Sequence, residues 1–386
     1  MITFLKQNLV YISIVSALIS LLVCHNISNG VVALHASRKY TLDSTKPCQS
    51  GNYSTEHYPG CYAYVNAEDP TINVTLRFPR MNRKSLGKKI AHGWHGEVFM
   101  GNLSTGIPCV YKVIRSNLTL NEVIKREISI MNTLQGHPSI ARLYGVYRLI
   151  ITNHIVYEQE TLVFPIITRL PEGVLARDYR YYLYELLKVL DFSHSKGVMH
   201  LDVYDSNILI DSNKRKLYLV DFTVSQFYQP RRKYPLILGC PHQPPETFLD
   251  YGNYDYSADV WMVGYLLGKR IFRLKPTQNL FHANATISTP LVTMVKLLGT
   301  GGLEKFVKKY NISRDALIEK VLSRPHPATL WRNHHRYHSK EVHAHNGTSL
   351  VTSDALDLMQ RLLVYDPQKR LTAKQAMAHS PLGTDK

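Results

Sequence analysis

The sequence contains no Cys-x-x-Cys pair and no run of five or more lysines and arginines. The first absence argues against a zinc or redox centre built on closely spaced cysteines. The second argues against a nucleic-acid partner, although 46 basic residues face 29 acidic ones and the formal net charge is +17. Basic residues spread along a chain favour a solvated basic surface. With 386 residues, 45% of them hydrophobic, the chain is long enough for a large core.

The N-terminal segment has no acidic residue and one lysine, Lys6, ahead of an uncharged, mostly apolar run from Leu9 to Cys24. A run of this length suits the hydrophobic region of a signal peptide, and it is short for a spanning helix. The sequence therefore predicts a signal peptide over residues 1–30. The alternative of an uncleaved signal anchor stays open. It would make the chain a single-pass type II membrane protein, attached to the membrane through this segment alone.

Asn-x-Ser/Thr sequons are more frequent than chance would give, and they indicate exposure to the lumen of the secretory pathway. The acceptor residues are Asn26, Asn52, Asn73, Asn102, Asn117, Asn284, Asn311 and Asn346. Residues 31–84 form a polar, glycosylatable stretch, which we interpret as a lumenal stem. Two thiols in it, Cys48 and Cys61, are expected to pair outside the cytosol. The predicted location is the ER or Golgi lumen or the extracellular space.

Residue patterning after the stem changes from strands to helices. Strands are predicted within Gly87–Ile114 and over Leu143–Ile150 and Thr161–Ile167, where β-formers predominate. A helix is predicted over Asn121–Leu134, and leucines at helical spacing predict another over Arg177–His194. A strand-rich first part followed by a helix-rich second part predicts a two-lobed α+β architecture.

Four short motifs then follow one another in the chain. The first contains Gly93 and Gly96, which allow a backbone to lie close over phosphates. The second is Lys112 with Glu127 one helix later, since a strand lysine that binds phosphates needs an anionic partner. Each pattern alone is as well explained by an ordinary turn or a surface ion pair.

The third and fourth motifs supply acidic and amide side chains. In His200–Asn207, Asp202 can accept a hydroxyl proton and Asn207 can hold a metal ion; in Val220–Thr223, Asp221 can ligate Mg²⁺. A polar loop would explain either motif alone. All four in one order, followed by Pro245-Glu246, Asp259-Val260-Trp261 and Arg370, indicate one phosphotransferase site.

With these motifs the sequence resembles the eukaryotic protein kinases, and it is most similar to the casein kinase 2 catalytic subunit. The resemblance covers residues 85–383 and implies a bilobal fold with a small β-rich lobe and a larger helical lobe. The segments that carry it are Lys125–Met131, Tyr184–Leu190, His194–His200, Tyr254–Ser257, Lys296–Thr300, Lys309–Ile312 and Arg370–Ala376.

The resemblance also implies a cofactor, a substrate class and a role for each matching residue. The implied cofactors are ATP and Mg²⁺, or Mn²⁺, and the implied substrates are proteins of the secretory pathway or extracellular space. The nucleotide-binding positions are Ala91, Gly93, Gly96, Val98, Lys112 and Glu127. The catalytic base is Asp202, the metal ligands are Asn207 and Asp221, and the ion pair that braces the substrate lobe is Glu246 with Arg370.

Several positions depart from the family pattern. Leu201 replaces the arginine before the catalytic aspartate, Tyr204 replaces the catalytic-loop lysine, and Thr223 replaces the glycine after the metal-binding aspartate. Losing one transition-state cation costs roughly 3–4 kcal/mol, or a factor of about 10²–10³. A slow kinase is then expected, with Tyr204→Lys raising its rate. Two functions stay open: a secretory-pathway Ser/Thr kinase, or a catalytically silent pseudokinase that binds or scaffolds other proteins.

Overall fold

A computed structural model describes residues 80–92, 96–114, 121–151, 157–164, 179–211, 214–230, 232–235, 242–249, 251–270, 272, 288–328 and 352–379. Among these residues no helix is long and apolar enough to cross a membrane.

The strands and helices run in this chain order. Through residue 211 they are β1 (Arg80–Asn82), β2 (Leu86–His92), β3 (Gly96–Asn102), β4 (Pro108–Ile114), α1 (Asn121–Leu134), β5 (Gly145–Ile151), β6 (Tyr157–Phe164), α2 (Tyr179–Ser195), β7 (Val198–Met199) and β8 (Ile208–Asp211). They continue as β9 (Lys216–Leu219), β10 (Gln226–Phe227), α3 (Pro245–Phe248), α4 (Ser257–Arg270), α5 (Ser288–Leu298), α6 (Thr300–Lys309), α7 (Ala316–Leu322), α8 (Ser353–Leu362) and α9 (Ala373–Met377).

The described residues divide into two compact units. The first holds residues 80–164 and 205–225, and the second holds residues 179–204 and 226–379. The first is mainly β-sheet and the second is mainly helical.

A six-stranded sheet forms most of the first unit, in the order β1-β5-β6-β4-β3-β2. Strand β4 lies between β6 and β3, and its residues from Cys109 to Ile114 are all buried. Successive side chains point to opposite faces. Cys109, Tyr111 and Val113 therefore pack in one apolar cluster, and Val110 packs in another. Lys112 shares the face of Val110.

Helix α1 follows the sheet's central strand and has the periodicity expected of an amphipathic helix. Its side chains Ile124, Ile128, Met131 and Leu134 are buried and recur at helical spacing. The bounds Asn121–Leu134 are those predicted from the sequence. The hairpin β8–β9 completes the unit, and its Leu219 pairs with Ile140 as an isolated bridge.

The second unit is built around α4, whose residues from Ser257 to Gly268 are buried. Helices α2 and α8 both pack against α4, and α9 packs against α2. A Cβ added to Gly264 of α4 would lie 2.8 Å from Leu362 Cβ, so the close approach of α8 requires glycine at this position. Helices α5, α6 and α7 pack on one another.

Three strands differ from the sequence prediction. Strand β5, predicted over Leu143–Ile150, spans Gly145–Ile151. The strand predicted over Thr161–Ile167 begins at Tyr157, and the residues after Phe164 lie outside the described part of the chain. Polar residues at its start disfavour a strand locally, but they pair in register with β5. Strand β1 lies within the segment predicted as stem and pairs with β5 in parallel, so the sheet begins upstream of residue 85.

Candidate active site

Lys112 is the centre of a charged cluster in the first unit. Its Nζ lies 2.6 Å from Glu127 Oε1 of α1 and 2.8 Å from Asp221 Oδ1, which follows β9. Burial alone would lower the pKa of Lys112, but the carboxylates of Asp221 and Glu127 outweigh it and raise this pKa above its ordinary value. Lys112 is therefore a fixed cation inside the unit.

Neighbouring strands place the predicted nucleotide-loop positions beside this cation. Val98 of β3 is directly opposite Lys112 of β4, and Ala91 of β2 is opposite Val98. Ala91, Val98 and Val110 form one buried apolar cluster. A Cβ at Gly96 would lie 2.3 Å from the carbonyl oxygen of Val113, so only glycine fits there. Such an apolar face beside a lysine suits a nucleotide base and its phosphates.

Thr223 joins the charged cluster through its hydroxyl. The oxygen accepts a hydrogen bond from Lys112 Nζ at 2.5 Å and lies 2.5 Å from Asp221 Oδ1 and 3.1 Å from Glu127 Oε2. A hydroxyl has a single proton, so it donates to one carboxylate at a time. The residue that departs from the family glycine thus contacts all three charged side chains.

The two predicted metal ligands lie at the ends of the hairpin β8–β9. The backbone N–H of Val220 donates to the carbonyl oxygen of Asn207 at 2.9 Å, which brings Asn207 beside the residue that precedes Asp221. Asp221 has a φ of 65°, in the left-handed region that aspartate tolerates better than most residues. A carboxylate and an amide oxygen match the preference of Mg²⁺, which takes few protein ligands and fills its remaining positions with phosphate and water.

The predicted catalytic loop belongs to the second unit and is held by Asp259 of α4. The Asp259 carboxylate accepts the backbone N–H groups of His200 at 2.8 Å and Leu201 at 2.7 Å, and it contacts His194 Nε2 at 2.9 Å. Leu201 has a φ of 64°, so this clamp holds a backbone conformation that a leucine rarely adopts. The loop is therefore fixed immediately before Asp202.

Asp202 has partners of its own and remains accessible. Its backbone N–H donates to His200 Nδ1 at 3.2 Å, and its Oδ1 lies 2.8 Å from His242 Nε2. The side chain is 28% exposed. A partly exposed carboxylate on a fixed loop has the properties required of a general base.

Glu246 and Arg370 form a buried, two-pronged ion pair in the same unit. Arg370 Nη2 lies 2.8 Å from Glu246 Oε2, and Nη1 binds Oε1. The guanidinium also donates to the carbonyl oxygens of Ser257, Val364 and Tyr365, and it lies 4.8 Å from the ring centroid of Trp261. Because all its polar bonds are satisfied, this buried charge can be tolerated.

A sequence model of the protein kinase domain matches residues 85–381. The chain belongs to the protein kinase family. This match and the observed order of a β-sheet region before a helical region confirm the predicted α+β fold. The family also supports an ATP-dependent phosphotransferase or a kinase-like protein without catalysis.

In this member of the protein kinase family, the predicted site residues form two groups. Lys112, Glu127 and Asp221 are in direct contact in the first unit. Asp202 and the pair Glu246–Arg370 lie in the second unit. Gly93 lies outside the described residues.

Other features predicted from the sequence are only partly within the described residues. Asn102 and Asn311 are exposed, as glycosylation requires, and Cys109 is a buried thiol. The leader, residues 31–79 of the predicted stem, including Cys48 and Cys61, and the other six sequons lie outside the described residues.

Two residues of the kinase site were not identified from the sequence. His242 contacts Asp202, and Lys269 contacts Tyr204. Neither lies in a motif, and each is separated from its partner by 40 residues or more in the chain. Position alone gives one signal for each. His242 lies just before Pro245-Glu246, and Lys269 lies in the last turn of the helix that contains Asp259.

Proposed function

We propose that this protein is an ATP-dependent serine/threonine protein kinase of the secretory pathway, similar to casein kinase 2. The observation that supports it most is the buried contact of Lys112 with both Glu127 and Asp221. A strand lysine paired with a helix glutamate is the arrangement that positions ATP phosphates in active kinases.

Each residue has a distinct task in this proposal. Lys112 binds the α- and β-phosphates, and Asn207 with Asp221 holds Mg²⁺. The metal ion supplies charge neutralisation for the transferring phosphoryl group. Asp202 accepts the proton of the substrate hydroxyl, and the clamp on Leu201 keeps that carboxylate in one place.

The alternative, a pseudokinase, is favoured by one feature of the cluster. Asp221 Oδ1 is already bound by Lys112 and by the Thr223 hydroxyl. A metal ion that binds this oxygen competes with both contacts. A protein in which these contacts persist would keep the fold and lose catalysis.

Metal-dependent nucleotide binding tests the first step of the proposal. We expect ATP with Mg²⁺ to raise the melting temperature of the parent, and ATP with excess chelator to raise it much less. Asp221→Asn should remove the metal-dependent part of this shift, whereas Asp202→Asn should retain it. A parent protein whose melting temperature responds to neither condition would favour the pseudokinase.

We further propose a lumenal or extracellular location, with the leader and the sequons as support. Asn102 and Asn311 are exposed and therefore accessible to glycosylation. A disulfide bond between Cys48 and Cys61 would close a short loop and stabilise the folded state by roughly 3 kcal/mol. Protein expressed in animal cells should lose apparent mass on glycosidase digestion. Unchanged mobility together with a cytosolic fraction would refute the location.

A further inference from the structure

His242 is buried against the predicted base. Its Nε2 lies 2.8 Å from Asp202 Oδ1, and its side chain is 5% exposed. The other ring nitrogen, Nδ1, is buried and has no hydrogen-bond partner among the described residues. A proton on Nδ1 would therefore be buried without an acceptor. A proton on Nε2, by contrast, has Asp202 Oδ1 as its acceptor, so His242 donates to Asp202.

The next residue fixes His242 in place. Gln243 is buried, and its Nε2 donates to the carbonyl oxygen of Leu201 at 2.7 Å. Consecutive residues 242 and 243 therefore bind consecutive residues 201 and 202. Pro244 and Pro245 follow directly and restrict the backbone. This double attachment leaves the imidazole little freedom to move away from the carboxylate.

Tyr204 covers the face of the imidazole. The rings of Tyr204 and His242 are stacked, with centroids 4.6 Å apart and planes inclined by 17°. Lys269 of α4 donates to the Tyr204 hydroxyl, and its Nζ lies 4.3 Å from the Tyr204 ring centroid. A cation over an aromatic ring is attracted to it. The tyrosine that replaces the catalytic-loop lysine is thus packed between a histidine and a lysine.

We propose that His242 is the positioning residue for the base Asp202, and that Tyr204, held by Lys269, fixes the plane of His242. This inference rests on the proposed kinase function. In the family pattern a lysine follows the base closely, whereas in this chain the donor to the base comes from a segment 40 residues downstream. A donor on one carboxylate oxygen restricts rotation of the carboxylate, so the other oxygen is presented in a defined position.

The proposal reverses the expected effect of Tyr204→Lys. From the sequence, restoring the lysine should raise the rate. In the structure, a lysine at 204 would lose the stack on His242 and place a second ammonium near Lys269. We therefore expect Tyr204→Lys to lower kcat, and Tyr204→Phe, which keeps the stack, to lower it less.

Kinetics of His242 variants test the proposal. His242→Leu removes the donor, and we expect kcat for phosphate transfer to fall by roughly 10- to 100-fold, since misplacing a reacting group by about 1 Å costs up to about 10²-fold. The KM for ATP should change little. His242→Gln keeps an N–H near the position of Nε2 and should recover most of kcat. A purely structural role would not produce this split or this rescue.

A second histidine–aspartate pair provides the matched control. His379 Nε2 lies 2.7 Å from Asp357 Oδ2, outside the residues assigned to the site. His379→Leu should leave kcat unchanged, and melting temperatures of all variants report on folding. An active parent whose kcat is unaffected by His242→Leu would overturn the inference and leave the kinase function standing.

If the parent transfers no phosphate, measurements of unfolding free energy still test the contact between His242 and Asp202 separately from the kinase function. A parent with no transfer above an Asp202→Asn background would refute the kinase function. In a double-mutant cycle of His242→Leu with Asp202→Asn, contact between these side chains predicts non-additive changes in unfolding free energy. Additive changes would overturn the contact itself, whatever the activity.

Discussion

The hydroxyl of Thr223 is the most sharply testable feature of the charged cluster. Valine has nearly the shape of threonine and lacks the hydroxyl, so Thr223→Val removes one polar group with little change in volume. Lys112 then loses one acceptor, and Asp221 and Glu127 lose a shared donor. Thr223 is 2% exposed, so water has little access to replace the missing group.

The size of the effect follows from the charges involved. A hydrogen bond to a charged group contributes about 1.5–3 kcal/mol to stability. Because the charged partners of Thr223 are buried, we expect the loss of stability to lie in the upper half of that range. We therefore expect Thr223→Val to destabilise the fold by about 2–3 kcal/mol. For a domain of about 300 residues, that loss corresponds to a fall in melting temperature of roughly 3–5 °C.

Thermal unfolding of nucleotide-free protein measures this change. Thr223→Ser keeps the hydroxyl and loses a methyl group, so it is the matched control and should stay within about 1 kcal/mol of the parent. The reasoning is refuted if Thr223→Val and Thr223→Ser melt at the same temperature. It is also refuted if Thr223→Val is more stable than the parent.

Three further predictions concern pH dependence, regulation and covalent structure. Burial, reinforced by Glu246, raises the pKa of Asp255 from its ordinary value of about 3.8 to about 7. Between these two pKa values the folded state binds a proton that the unfolded state has lost, so the free energy of unfolding should fall as the pH rises through this window. Denaturation midpoints measured at several pH values should therefore depend less on pH in Asp255→Asn than in the parent. Residues 226–246 contain no Ser or Thr, and Tyr228 and Tyr234 are buried. Phosphate mapping of active protein should find neither tyrosine modified, and an activity gain traced to phosphate on either would contradict this. Peptide mapping without reductant should find Cys48 linked to Cys61, and alkylation of both as thiols would rule the bond out.

The fold was largely predictable because its signals are local. Helix Asn121–Leu134 was predicted with its observed bounds, since its buried residues recur with helical periodicity. Strand β1 was not predicted, because Arg80–Asn82 has no strand-forming pattern and owes its conformation to pairing with β5. Tertiary pairing overrode local preference in that segment.

The site was predictable only where single positions match a family motif. Lys112, Glu127 and Asp221 were identified in this way, and they meet in the structure. The environment of a substituted position was not predictable. At Thr223 the sequence indicated only the replacement of the family glycine, whereas in the structure its hydroxyl binds a lysine 111 residues away. Tyr204 was interpreted as a lost cation, and its partners His242 and Lys269 come from distant segments.

Phosphate transfer from radiolabelled ATP, by full-length protein expressed in the secretory pathway, tests the central claim most directly. The parent and Asp202→Asn are compared at equal concentration with Mg²⁺ and with Mn²⁺, on a generic protein substrate rich in serine and threonine. We expect slow, metal-dependent transfer by the parent to serine or threonine, and none above background by Asp202→Asn. Equal amounts of radiolabelled phosphate transferred by the parent and by Asp202→Asn would contradict the kinase function and identify the protein as a pseudokinase.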